Sequence, residues 1–289
     1  LSYRRCASPL HAARAAAGGC YCLALACAAL LVSGPLALGA VTLAIAAAGI
    51  AAGVGRELGR AARFAVVLGL LVMVVNALVV RDGLTVILRL GSLPILGDTD
   101  ITLEATAYGA ILGLRAVALI LCGALYTAAV DPDEVLRLFR RVSFRSALTA
   151  TLSTRMVPIL IRDSRRLADA QRCRPGRPPS RVALMRAASA GVLDRALDVA
   201  AALEVRGYGR AARPVRAHVP YSRHDLGFGA SALLALALAI AARVANLAPF
   251  RAYPELRAPI TAGQWALVAV LLASALLPFA DRRGIVRAG

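Results

Sequence analysis

Apolar residues gather along the chain into six runs, at positions 20–32, 36–54, 64–80, 103–130, 226–242 and 265–280, separated by polar stretches. A membrane-spanning helix needs about 20 mostly apolar residues at about 1.5 Å of rise each. The last four runs are nearly free of charge and are the clearest spans, whereas the first is short for a full crossing. Ser33-Gly34-Pro35 separates the first two runs and predicts a tight turn. The pattern predicts an all-α polytopic membrane protein with about six transmembrane segments.

Between positions 131 and 223 the pattern changes to apolar stripes on an otherwise polar chain, which divides the sequence into membrane helices at 1–130, a polar helical segment at 131–223 and membrane helices at 224–289. Asp131-Pro132-Asp133-Glu134 opens the segment with a capping Asp, Pro at the first helical position and acids in the first turn, which suits the helix dipole. Leu148, Leu152, Met156, Ile159, Leu160 and Leu167 recur at helical spacing, with Pro158 expected to kink or loosen one turn. Val182, Met185, Ser189, Val192, Ala196, Val199 and Leu203 alternate steps of three and four, predicting one face of a second long helix. Arg186, Asp194, Arg195, Asp198 and Glu204 on its other positions would each cost about 2.5–3.5 kcal/mol near a bilayer centre. That helix therefore lies beside the membrane and not through it.

Composition then fixes the class and the sidedness. The 289 residues are 59% apolar and yet carry a formal charge of +18. All the basic residues are Arg, so base composition contributes to that charge as well as function. Aromatic residues make up only 5% and are not interleaved with the arginines, which argues against a nucleic-acid partner. Arg4, Arg5 and Arg14 precede the first run, Arg56, Arg60 and Arg63 follow the second, and Arg282, Arg283 and Arg287 follow the last. Short arginine-rich loops stay in the cytoplasm, so both termini and the 131–223 segment are expected inside, with the stretches 81–102 and 246–259 outside. The N-terminal apolar run continues into further spans, which argues against a cleaved signal peptide. Six cysteines form no C-x-x-C pair, and His11, His218 and His224 are scattered, so no metal site or other cofactor is expected. No G-x-x-x-x-G-K-[ST] loop is present to hold phosphates, so the chain is not expected to hydrolyse ATP itself.

Two Ala-rich stretches within the polar segment end alike: ADAQRCRPG at 168–176 and ALEVRGYG at 202–209. In each an arginine, Arg174 or Arg206, is followed by residues that stop a helix. An arginine there complements the dipole of its own helix; at an exposed tip it also suits a bidentate bond to a carboxylate on a partner. This ordered set resembles the transmembrane T components of energy-coupling factor transporters, the cobalt-type members included. Those proteins carry cytoplasmic coupling helices ending in Ala-Arg-Gly. Cys173-Arg174-Pro175 and Val205-Arg206-Gly207 occupy the matching places, keeping both arginines but replacing the Ala twice and the Gly once. Further matching pieces are Ser8-Pro9-Leu10-His11, Asn76, Arg81-Asp82-Gly83, Thr85, Thr102 to Glu104, Gly113-Leu114-Arg115, Asp131-Pro132, Arg155 and Pro158, so the likeness runs from 8 to about 210.

The resemblance implies a non-catalytic, energy-coupling subunit in a bacterial inner membrane. It would dock two cytoplasmic ABC ATPase subunits, identical or not, through Cys173, Arg174, Pro175, Val205, Arg206 and Gly207. It would also join a membrane-embedded substrate-binding S subunit that takes up a vitamin or a transition metal such as cobalt or nickel. Arg115, inside the fourth run, is a candidate polar contact within the membrane core. Two rival classes are a self-sufficient secondary transporter or channel with a regulatory basic loop, and a lipid-phosphate enzyme using Asp131-Pro132-Asp133. Against the first, the runs hold few polar residues and show no inverted repeat; against the second, the same acids read as a helix cap.

Overall fold

The computed structural model describes residues 6–80, 85–93, 97–139, 144–173, 181–207, 221–247, 250 and 261–281. Its elements follow the order α1 (Pro9–Ala12), α2 (Ala15–Leu31), α3 (Pro35–Ala51), α4 (Gly55–Val79), β1 (Val86–Leu93), β2 (Gly97–Thr102), α5 (Leu103–Ala129), α6 (Pro132–Phe139), α7 (Phe144–Arg172), α8 (Arg181–Val205), α9 (Arg223–Val244) and α10 (Ala262–Leu276), with a 3-10 turn at Leu277–Phe279. The fold is all-α and polytopic. Among the described residues four helices are long and apolar enough to cross a membrane: α4, α5, α9 and α10 with its 3-10 extension. The apolar helices α2 and α3 are shorter, at 17 residues each. Gly34 and Pro35 make the turn between those two, with Pro35 starting α3 where its missing N–H costs nothing.

One departure from an all-helical reading lies between α4 and α5, where the sequence predicts only an external loop. β1 and β2 pair antiparallel there, Val86 opposite Thr102 and Leu93 opposite Gly97, with irregularities between Val86 and Leu88 and between Arg89 and Ser92. Hydrogen bonds tie the hairpin to the start of α5. The Leu103 N–H donates to the Thr85 carbonyl at 2.9 Å, and the Thr85 N–H donates to the Glu104 carboxylate at 3.2 and 3.3 Å.

The chain forms two compact units, 1–135 with 221–289, and 136–220. In the first, α2 packs on α9 and on α5, α3 on α10 and α5, and α4 on α5. Tyr21, Phe228 and Phe279 meet edge-to-face with centroids 5.1 to 6.2 Å apart, and the Tyr21 hydroxyl donates to the Ala275 carbonyl at 2.9 Å. A buried phenol is thereby satisfied while three elements lock together. The contact of α4 with α5 is backbone to backbone: a Cβ on Gly113 would lie 2.5 Å from the Gly69 carbonyl oxygen. Small residues permit this approach where lipid offers helices no hydrophobic driving force. The other side of α4 carries exposed Phe64, Val67, Leu70 and Leu71.

The second unit is built from α7 and α8, which touch along one side. α7 is one continuous helix with Pro158 inside it. The bond that Pro158 lacks would have gone to the carbonyl of Thr154, an exposed residue.

Candidate functional site

The two helix ends singled out by sequence lie at the C-termini of α7 and α8. α8 ends at Val205, whose side chain is 89% exposed. The Arg206 N–H donates to the Ala202 carbonyl at 3.2 Å, and the Gly207 N–H to the Glu204 carbonyl at 2.9 Å. Gly207 adopts φ +77°, a left-handed conformation that glycine takes without strain and that ends the helix abruptly. Val205 and Arg206 therefore stand exposed on a sharp helix tip. α7 ends at Arg172, which pairs with Asp169 at 3.6 Å, and Cys173 follows as an exposed cap whose N–H donates to the Asp169 carbonyl at 3.2 Å. Arg174 and Pro175, with Gly176 to Pro179, lie outside the described residues.

α7 and α8 are joined by the Arg195 guanidinium, which bonds the Asp163 carboxylate. That bond, together with the nearby charges of Arg195, Arg166 and Arg162, holds the Asp163 carboxyl below its ordinary range against a smaller desolvation effect. The pairing also sets which side of α8 is covered. Ala188, Arg195, Val199 and Leu203 are half-covered, whereas Val182 and Met185 of the sequence-derived stripe are 65% and 72% exposed. Leu193 and Leu197 are exposed as well. α8 thus bears exposed apolar groups on more than one face.

Arg115 belongs to the first unit. Its Nε donates to the Ala29 carbonyl at 3.2 Å and its Nη2 to the Val32 carbonyl at 3.0 Å. These are carbonyls at the C-terminal end of α2, where the last turn lacks intrahelical donors and the dipole favours a cation.

Sequence reasoning assigns Glu134 to the first turn of its own helix. The cap is as read, with the Asp133 N–H donating to Asp131 Oδ1 at 2.9 Å. The Glu134 carboxylate, however, accepts the Ala15 N–H of α2 at 2.8 Å. Next to it the Arg14 N–H donates to Asp225 Oδ1 at 2.7 Å, Arg14 Nε lies 3.3 Å from Asp225 Oδ2, and the guanidinium sits 4.5 Å over the Tyr221 ring. Asp225 also accepts the Ser222 N–H at 2.9 Å, closing a capping box on α9. The available signal is Arg14 itself: an arginine cannot accept a hydrogen bond, so an α2 that starts there requires acceptors from elsewhere. Glu104, in the first turn of α5, is 2% exposed and receives the Thr85 N–H.

Among the described residues no group of three or more His, Cys, Asp or Glu is arranged to hold a metal ion. A family model described as CbiQ, cobalt transport protein, matches residues 7–218, from α1 through the end of α8 and beyond. No curated protein matches the chain.

Proposed function

Because the chain belongs to the CbiQ cobalt transport protein family, we propose that it is the energy-coupling membrane subunit of an ATP-driven importer, docking two cytoplasmic ABC ATPases and a separate substrate-binding membrane subunit. Membership makes it a membrane transport component, and the family description favours cobalt as the cargo. The observation that carries the finer reading is the exposed Val205-Arg206 tip ended by left-handed Gly207. A guanidinium in that setting is exposed, permanently charged and shaped for a carboxylate fork. In this reading Arg174 supplies the equivalent tip after α7, α7 and α8 lie on the cytoplasmic side, and both termini are cytoplasmic, as the arginine-rich flanks require. ATP is hydrolysed by the partners, in keeping with a sequence that lacks a phosphate-binding loop.

Gentle solubilisation of the tagged chain from its native membrane tests this reading. Recovery of two ATPase chains and a small membrane subunit is expected. Cobalt transport by the isolated chain in vesicles, with no ATPase bound, would instead establish a self-sufficient transporter.

A further inference from the structure

The compact membrane unit stops at Val135 and resumes at Tyr221, so the intervening segment is attached to it at two points in the chain. Both points reach the same place. On the outgoing side Glu134 binds the Ala15 N–H at 2.8 Å; on the returning side Asp225 binds the Arg14 N–H at 2.7 Å, and Tyr221 lies under the Arg14 guanidinium. Arg14 and Ala15 are consecutive, and their N–H groups open α2. At the far end of that helix, Arg115 of α5 grips the carbonyls of Ala29 and Val32. Charged side chains thus hold α2 at both ends, and its flanks pack on α9, α5 and α3.

We infer that α2 is the element through which movement of the 136–220 segment enters the membrane unit, with Glu134 and Asp225, which flank that segment in the chain, as the positioning residues that hold the flanking stretches of the membrane unit to it. An N–H at a helix start bonded to a carboxylate is short, charge-assisted and favoured by the helix dipole, so it is a strong and directional fastening. Two such bonds to adjacent peptide units make one fastening from two separate parts of the chain. The inference rests on the energy-coupling reading and adds to it the route by which force crosses from the segment to the membrane helices.

The test uses the whole assembly, chain with its ATPases and substrate-binding subunit, reconstituted in vesicles with cobalt(II) as cargo, and measures uptake and ATP hydrolysis together. Glu134→Ala is expected to lower uptake per ATP by about ten-fold or more, as the loss of one charge-assisted hydrogen bond implies. Copurification and ATP hydrolysis should stay near wild type. Glu134→Gln, whose amide oxygen still accepts from Ala15, should keep most of the coupling. Glu134→Asp keeps the charge but is one methylene too short, so it should fall with the Ala variant; it decides the matter if the Ala variant does not fold. Wild-type uptake per ATP in the Asp variant would overturn this inference alone, as would parallel loss of assembly and ATP hydrolysis in the Ala and Asp variants. Failure of the unmodified chain to recruit ATPases would overturn the coupling reading first, and this inference with it.

Discussion

The Arg115 guanidinium meets the Val32 carbonyl at 3.0 Å, so a charge inside an apolar helix is used to close the open end of its neighbour. Replacing it with an apolar residue of similar length deprives the Ala29 and Val32 carbonyls of this donor, at about 1–3 kcal/mol for each polar group left unsatisfied. Arg115→Met should therefore lower the unfolding temperature in mild detergent by several degrees. Arg115→Lys, a point charge without the planar fork, should recover only part of the loss. An unchanged unfolding temperature in Arg115→Met would show that the two carbonyls find other partners.

The ion pair between Asp163 and Arg195 predicts a specific pH response. A carboxyl held below its usual range contributes stability that is complete above the unfolded value, about 3.9, and is lost as pH falls through the lower folded value. The α7–α8 contact should therefore be constant from pH 5 to pH 8 and open only in stronger acid. Spin labels at Ala170 and Asp198 should report one distance across that window, and Asp163→Asn should lengthen it at neutral pH. A transition near pH 6 would mean that another group governs the contact.

At the α4–α5 crossing, Gly113→Ala places a methyl group 2.5 Å from the Gly69 carbonyl oxygen, a backbone atom with no rotamer to yield. Overpacking of this kind costs about 1–3 kcal/mol. Gly123→Ala on the same helix meets nothing within 4 Å and serves as the control. Thermal unfolding should separate the two variants, and equal stabilities would argue against close α4–α5 packing in the membrane.

What sequence makes legible here is what local patterns encode. The six apolar runs, the Gly34-Pro35 turn, the Asp131 cap and the spans of α7 and α8 each depend on residues close together in the chain, and they stand where the patterns put them. The β1–β2 hairpin escaped because charge assigns residues 81–102 a side of the membrane and says nothing about their backbone. The roles of Glu134 and Asp225 escaped because their partners, Ala15 and Arg14, lie more than a hundred residues away. An acid in a first turn has a sufficient local explanation, and only the unsatisfied start of α2 hints that it serves another helix. Likewise the stripe on α8 is helical as read, yet only its C-terminal members Val199 and Leu203 are half-covered, whereas Val182 and Met185 are exposed.

On the proposed reading, Arg206, at the exposed end of α8, and Arg174, beyond the end of α7, dock the ATPases. Each charge-assisted bond to a partner carboxylate is expected to contribute about 1.5–3 kcal/mol, and its loss weakens docking roughly 10- to 150-fold. Because two linked sites support each other by avidity, either single Arg→Ala change should reduce cobalt uptake more than it reduces copurification. The most direct measurement is quantitative recovery of the ATPases with the tagged Arg174→Ala, Arg206→Ala double variant, alongside cobalt uptake, at wild-type levels of the membrane subunit. Loss of both ATPases together with loss of uptake is the predicted result; a double variant that retains its ATPases and imports cobalt at the normal rate would contradict it.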